Sequence, residues 1–288
     1  MTKEQIKSIS IIGLGLIGTS LARAWQAAFE AEGRKLFISG YDNNFANKDK
    51  KEILNYGLNR FESDFQYLCA VDLVVLAAPV QENIKTLRKI KRFLKPKTLV
   101  VDASSTKQAI MDVAKELDVR FVGMHPIAGS ELRGYQNSNP DLFRGKPVAI
   151  CADEKLLKQA KVKDFQALME LIGAEPFVVD AASHDKIFAK ISHLPQLLST
   201  AIVNYCAEDL DKAGTGLQDM ARLSGSAWLV WQDIFATNQT EIADVLAAFS
   251  QKLQSLSNDI RAGNYEAIEQ EFQSGNENYQ KLQKRTQQ

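Results

Sequence analysis

A serine and a histidine, each closing a predicted strand, are the residues of this chain best suited to moving a proton. Ser105 follows a strand read over Thr98 to Val101, and His125 follows one read over Arg120 to Gly123. Both therefore belong at the carboxyl ends of successive strands, where open parallel sheets gather their ligands. A neutral imidazole there can take a proton from a substrate hydroxyl while hydride leaves the same carbon, and a serine hydroxyl can orient that imidazole or bind the same oxygen. A single histidine can equally be a hydrogen-bonded core residue. The glycine-flanked loop in which His125 is expected, where bulk is small, favours the chemical reading.

Hydride transfer needs a carrier, and the chain has a place for one. Gly13-Leu14-Gly15-Leu16-Ile17-Gly18 lies between the apolar run Ile9 to Ile12 and a helical pattern from Leu16 to Phe29. In that context the first glycine permits the tight turn, the second lets the backbone approach a pyrophosphate, and the third lets helix and strand pack closely. A strand over Lys35 to Tyr41 ends at Asp42, placed to accept hydrogen bonds from ribose hydroxyls. Its charge opposes a 2′-phosphate and no arginine follows it immediately, so NAD is expected rather than NADP. Ala77, Ala78 and Pro79 close a further strand over Leu73 to Ala77 and leave room for the nicotinamide half, with Ser104 at the next strand end.

The elements that must hold these groups alternate. A polar helix is expected to follow Asp42, and amphipathic helices cover Gln81 to Phe93, Gln108 to Leu117 and Glu154 to Ile172; strands cover Pro147 to Cys151 and Pro176 to Asp180. Near-continuous apolar strands separated by helices indicate a doubly wound, mostly parallel sheet of the Rossmann type. After about residue 180 strand signals nearly vanish, and long helical patterns such as Glu241 to Ile260 and Tyr265 to Leu282 take over. The expected organisation is a dinucleotide-binding domain over residues 1–180 and an all-helical substrate and dimerisation domain over 181–288. The stripe Ile242, Val245, Leu246, Phe249, Leu253 and Leu256 exceeds what a thin helical layer needs, which points to a homodimer through these helices.

Thirty-five basic residues balance thirty-five acidic ones, so no global field favours nucleic acid or an anionic membrane. Three scattered cysteines (Cys69, Cys151, Cys206) fit a reducing compartment better than a disulfide framework, and three histidines with no cysteine cluster give no metal-ligand spacing. The polar start and the absence of long apolar runs lead to the cytoplasm as the expected location.

Several motifs together resemble the prephenate and arogenate dehydrogenases, the oxidoreductases of tyrosine biosynthesis. They are Gly13 to Gly18, Asp102 to Lys107, His125-Pro-Ile-Ala-Gly-Ser-Glu131, His184-Asp185, Ser192-His193-Leu194-Pro195, and Gly216-Leu-Gln-Asp219-Met-Ala-Arg222 with Trp231 beyond, in family order. The resemblance implies an NAD-dependent oxidative decarboxylation of prephenate in which His125 accepts the ring hydroxyl's hydrogen bond and then its proton, assisted by Ser105. It also implies that Arg222 holds the side-chain carboxylate, a planar anion suited to a guanidinium. Glu131 is expected to shape the entrance, and Ser130, His193, Gln196, Asp219 and Trp231 to complete the substrate site. Without the family, Arg222 reads as a surface arginine paired with Asp219, and Trp231 as helix core.

Two positions depart from the pattern. Gln196 stands where many members have histidine and can hydrogen-bond a ring carboxylate but not carry charge; Ser104 replaces the usual glycine. No regulatory extension is expected after Leu282 and no fused mutase before residue 1. Arogenate dehydrogenase is the close rival. A 3-hydroxyacid dehydrogenase or imine reductase using Lys190 is a second rival, and an idle NAD-binding sensor a third; Ser105, His125 and Arg222 together argue against the sensor.

Overall fold

The computed structural model describes residues 6–129 and 132–286, so Ser130 and Glu131 lie outside the described residues. Eight strands form one sheet: β1 (Ser8–Ile12), β2 (Phe37–Tyr41), β3 (Arg60–Phe61), β4 (Leu73–Leu76), β5 (Leu99–Asp102), β6 (Phe121–Pro126), β7 (Pro147–Cys151) and β8 (Glu175–Val178). Their order is β3-β2-β1-β4-β5-β6-β7-β8, parallel throughout except for the β6–β7 pair. Ile9, Ile11, Leu73 to Leu76 and Leu99 to Val101 are fully buried, as strands covered on both faces must be. The chain winds outward in opposite directions from β1 and β4, which opens a crevice at their carboxyl ends.

Helices α1 (Leu16–Ala31), α2 (Asn47–Glu52), α3 (Phe65–Leu68), α4 (Val80–Ile90) and α5 (Gln108–Glu116) connect the first six strands. The pattern expected as one helix over Glu154 to Ile172 is two, α6 (Glu154–Leu157) and α7 (Ala160–Leu171), because Gln159 takes an extended backbone between them. Trp25, fully buried on α1, donates its indole N–H to the Leu168 carbonyl of α7 at 3.1 Å and so fixes one helical layer.

The expected place of His125 is corrected outright. It does not stand on a loop after its strand but inside β6, opposite Ala149 of the antiparallel β7. Pro126 did not stop the strand, since pairing continues through the Ile127 N–H to Pro147 O at 2.9 Å. The imidazole is thus carried on sheet backbone. The long β6–β7 connection runs back over α1, where Arg23 donates to the Ser138 carbonyl and Ser20 accepts from the Asn139 N–H.

Beyond β8 come α8 (Ala181–Phe188), α9 (Leu194–Tyr205), α10 (Thr215–Ala221), α11 (Trp228–Thr237), α12 (Gln239–Ala262) and α13 (Tyr265–Thr286). A π-helical turn, Ala189–His193, joins α8 to α9. The chain forms two compact units, Met1–Gln239 and Thr240–Gln288. The first includes α8 to α11 because these helices are bonded to the sheet's connections: Asp185 accepts the N–H groups of Lys107 and Gln108, Thr237 meets Thr106 at 2.7 Å, and Asp233 accepts the Gln81 N–H. In the second unit, Lys252 of α12 pairs with Glu271 of α13 across a turn at Gly263, whose φ is +67°. Leu246, Leu253, Phe272, Tyr279 and Leu282 stand exposed on it. Among the described residues no helix is long and apolar enough to cross a membrane.

Candidate active site

The glycine-rich turn meets the requirements of a dinucleotide site one glycine at a time. Gly13 has φ +101°, and a Cβ there would lie 2.5 Å from the Ala78 nitrogen. A Cβ on Gly18 would lie 2.1 Å from the Gly13 carbonyl oxygen. A Cβ on Gly15 would meet nothing within 4 Å, so at that point the backbone faces open space. Gly15 is also the N-cap of α1, whose first turn has no capping side chain and no acidic residue, leaving Leu16, Ile17 and Gly18 at an uncompensated positive helix end. These features fit a pyrophosphate.

A cleft of about 520 Å³ opens here, lined by Gly13, Gly15, Asp42, Ala78 and Pro79 together with Tyr41 and Phe65. Asp42 accepts the Leu14 N–H at 2.9 Å and the Asn44 N–H at 2.9 Å, so one carboxylate braces the glycine turn and lines the cleft. The two aromatic rings, edge to face at 5.2 Å, were not anticipated as lining. Nor was Asn83, fully buried on the apolar stripe Val80-Asn83-Leu87-Ile90 of α4. Its amide donates to the Ala78 carbonyl (2.8 Å) and to Ser104 Oγ (2.9 Å), and its oxygen accepts the Ala78 N–H (3.1 Å). An asparagine on an otherwise apolar stripe was the legible signal for this organising role.

Next to this cleft, past Ile17, a second one of about 330 Å³ is lined by Ser105, His125, Ile127, Ala128, Phe188 and Ile191. Ser105 and His125 therefore share one cavity at the ends of β5 and β6. Desolvation, reinforced by the nearby His184 and Lys107, holds the His125 imidazole well below the usual histidine range, so the ring is neutral and able to accept a proton. Lys107 is wholly buried, with Nζ 2.5 Å from Asp102 and 2.8 Å from the Met124 carbonyl. This pair joins the ends of β5 and β6 and fixes the backbone on either side of the two candidate residues.

Behind His125 lies a chain of hydrogen bonds. His125 Nδ1 is 2.9 Å from His184 Nε2, and His184 Nδ1 is 2.8 Å from Asp185 Oδ1. Phe188 stacks on the His184 ring with centroids 4.4 Å apart. Burial pushes His184 below its ordinary range in spite of Asp185.

His193 is buried in the π-helical turn, 3.4 Å from the Asn238 amide and edge-on to Trp231 at 5.9 Å; burial lowers it to about 4. Gln196 is buried as well, and its amide donates to the Leu223 carbonyl at 2.8 Å, while Ser199 Oγ donates to the Met220 carbonyl at 2.6 Å. Both α9 side chains thus pin the backbone on either side of Arg222. Arg222 is exposed, and among the described residues the ion pair with Asp219 does not form, which leaves the guanidinium unpaired. Neither Arg222, Asp219 nor Trp231 lines the two clefts within one chain. Among the described residues no group of three or more side chains is arranged to hold a metal ion.

Comparison with known proteins adds an independent line. Residues 26–178 match the family model for the prephenate dehydrogenase nucleotide-binding domain, and residues 180–274 match its dimerization domain. The chain is 28% identical over 291 residues to a prephenate dehydrogenase of Lactococcus lactis subsp. cremoris, covering 94% of this chain and 76% of that one. The structure of Synechocystis arogenate dehydrogenase superposes with a TM-score of 0.83 at 26% identity, over 96% of this chain and 99% of that one. Prephenate dehydrogenase from A. aeolicus, solved in complex with hydroxyphenyl propionate and NAD+, gives 0.82 at 27% identity, over 92% and 94%. With both halves matched in order around a glycine-turn cleft and a cleft-lining imidazole, this chain belongs to the prephenate dehydrogenase family.

Proposed function

We propose that this chain catalyses the NAD-dependent oxidative decarboxylation of prephenate to 4-hydroxyphenylpyruvate. The observation that carries this reading is that His125, its ring held well below the usual histidine range by desolvation, shares a cleft with Ser105, while the Gly15 backbone faces open space. Gly13, Gly15, Leu16, Ile17 and Gly18 would hold the pyrophosphate, Asp42 the adenosine ribose, and Ala78, Pro79 and Ser104 the nicotinamide end. When bound, NAD supplies the hydride acceptor. His125 accepts the hydrogen bond of the ring hydroxyl and takes its proton as the carbonyl forms, and Ser105 binds the same oxygen. Loss of the ring carboxylate as CO2 then sends the electrons of the broken C–C bond through the ring to that oxygen, which regains the proton from His125 as the ring becomes aromatic.

Arg222 is assigned to the side-chain carboxylate, and its free guanidinium, on backbone held by Gln196 and Ser199, supports this. Because Arg222 lines neither cleft within one chain, the contact requires closure of its segment or a second subunit. A homodimer through the helices of the matched dimerization domain, a dinucleotide domain over residues 1–180, a helical domain over 181–288 and a cytoplasmic location complete the proposal. Likeness to an arogenate dehydrogenase favours one second reading, in which Asp219 pairs with the substrate's ammonium. NADH formation measured with prephenate and with arogenate, each with NAD and NADP, tests both. Turnover of prephenate with NAD is expected; exclusive use of arogenate would replace the substrate, and no turnover of either would overturn the assignment.

A further inference from the structure

The buried pair His184-Asp185 has no part in the chemistry described so far, yet it is the sole hydrogen-bond partner found for the His125 ring among the described residues. We propose that Asp185 and His184 are positioning residues that lock His125 in the Nδ1–H tautomer, leaving Nε2 as the free proton acceptor. This proposal rests on the proton-accepting role given to His125 above, and the count of donors and acceptors decides it. Asp185, on α8, reaches the start of α5 with its carboxylate, where Oδ1 takes the Lys107 N–H at 2.7 Å and Oδ2 the Gln108 N–H at 2.8 Å. An ionised carboxylate in that place can only accept, so His184 Nδ1, 2.8 Å from Oδ1, must carry the proton. A neutral His184 then has a bare Nε2, and the bond of 2.9 Å to His125 forms only if His125 Nδ1 is the donor. Neutral imidazole in water prefers the opposite tautomer, in which the proton on Nε2 would prevent that nitrogen from acting as a base. The stack of Phe188 on His184, and its edge contact to His125 at 4.8 Å, hold both rings in the orientation the relay needs.

Long-range ¹H–¹⁵N correlation spectra of the three histidines, assigned by single substitutions, read the tautomer directly without substrate. The Nδ1–H form is expected for both His125 and His184. His184→Phe, which keeps the stack but removes the acceptor, should move His125 toward the Nε2–H form and lower kcat for prephenate on the order of 10²-fold, with KM for NAD within about threefold. His184→Gln can accept from His125 and donate to Asp185, so it should restore both the tautomer and most of the turnover. An Nε2–H His125 in the unsubstituted protein overturns the proposal, as does a His184→Phe protein with unchanged tautomer and kcat. If His184→Phe does not fold, the unsubstituted spectrum and the glutamine variant still decide. A protein with the expected tautomers that oxidises neither prephenate nor arogenate would keep the relay and remove the assigned reaction.

Discussion

His193 offers a test of the site's electrostatics that needs no substrate. Its ring is only 1% exposed and faces the Asn238 amide, a donor, so protonation would place two donors against each other in a desolvated pocket. Burial accordingly lowers it to about 4, against about 6.5 in the unfolded chain. A histidine with a depressed folded value binds its proton more weakly in the native state. Below pH 6.5 the unfolded chain therefore gains protons first, and stability falls as the pH drops toward 4. Integrating that linkage between pH 7 and pH 4.5 yields a loss of about 2 kcal/mol from this one group. The assay is urea unfolding at both pH values, at one protein concentration, for the unsubstituted protein and for His193→Gln. His125 and His184 are present in both proteins, so the variant should lose about 2 kcal/mol less on acidification. Equal acid sensitivity in the two proteins would refute the claim that His193 is held neutral by burial.

The other predictions concern the assigned chemistry. His125→Asn should lower kcat about 10²- to 10⁴-fold with NAD affinity preserved, measured by initial rates and calorimetry; unchanged turnover would remove the imidazole from the reaction. Arg222→Ala should raise KM for prephenate with little change in NAD binding, and mixed dimers of Arg222→Ala with His125→Asn chains would regain activity only if the arginine serves the partner's cleft. Asp42→Asn should relax cofactor choice toward NADP, read from the ratio of kcat/KM values, and an undiminished preference for NAD would show that another group reads the ribose. Gly15→Ala should fold normally yet bind NAD more weakly, since its Cβ would enter open space on the ligand side. Gly13→Ala should instead lose stability, by at least ~1–2 kcal/mol from the positive φ alone, because its Cβ would also meet backbone 2.5 Å away; thermal melts separate the two.

Much of this protein is legible along the chain because the relevant physics is local. Near-continuous apolar runs ending in Gly13, Asp42, Ala77 and Asp102 mark parallel strands and their ligand ends, and the spacing of Gly13, Gly15 and Gly18 states its own steric reason, which the Cβ distances bear out. The tertiary structure alone decided the rest, since it depends on contacts between distant segments. The antiparallel pairing with β7 drew His125 into β6, and no local pattern encodes a strand's partner. Asp185 reaches across to the start of α5, and His184 to His125 some sixty positions away, so the proton-holding chain exists only once α8 has docked. Gln196, read as a ligand for carboxylate, also donates from its amide to the Leu223 carbonyl, a contact no local pattern shows, because a buried polar group takes whichever partner packing brings within reach.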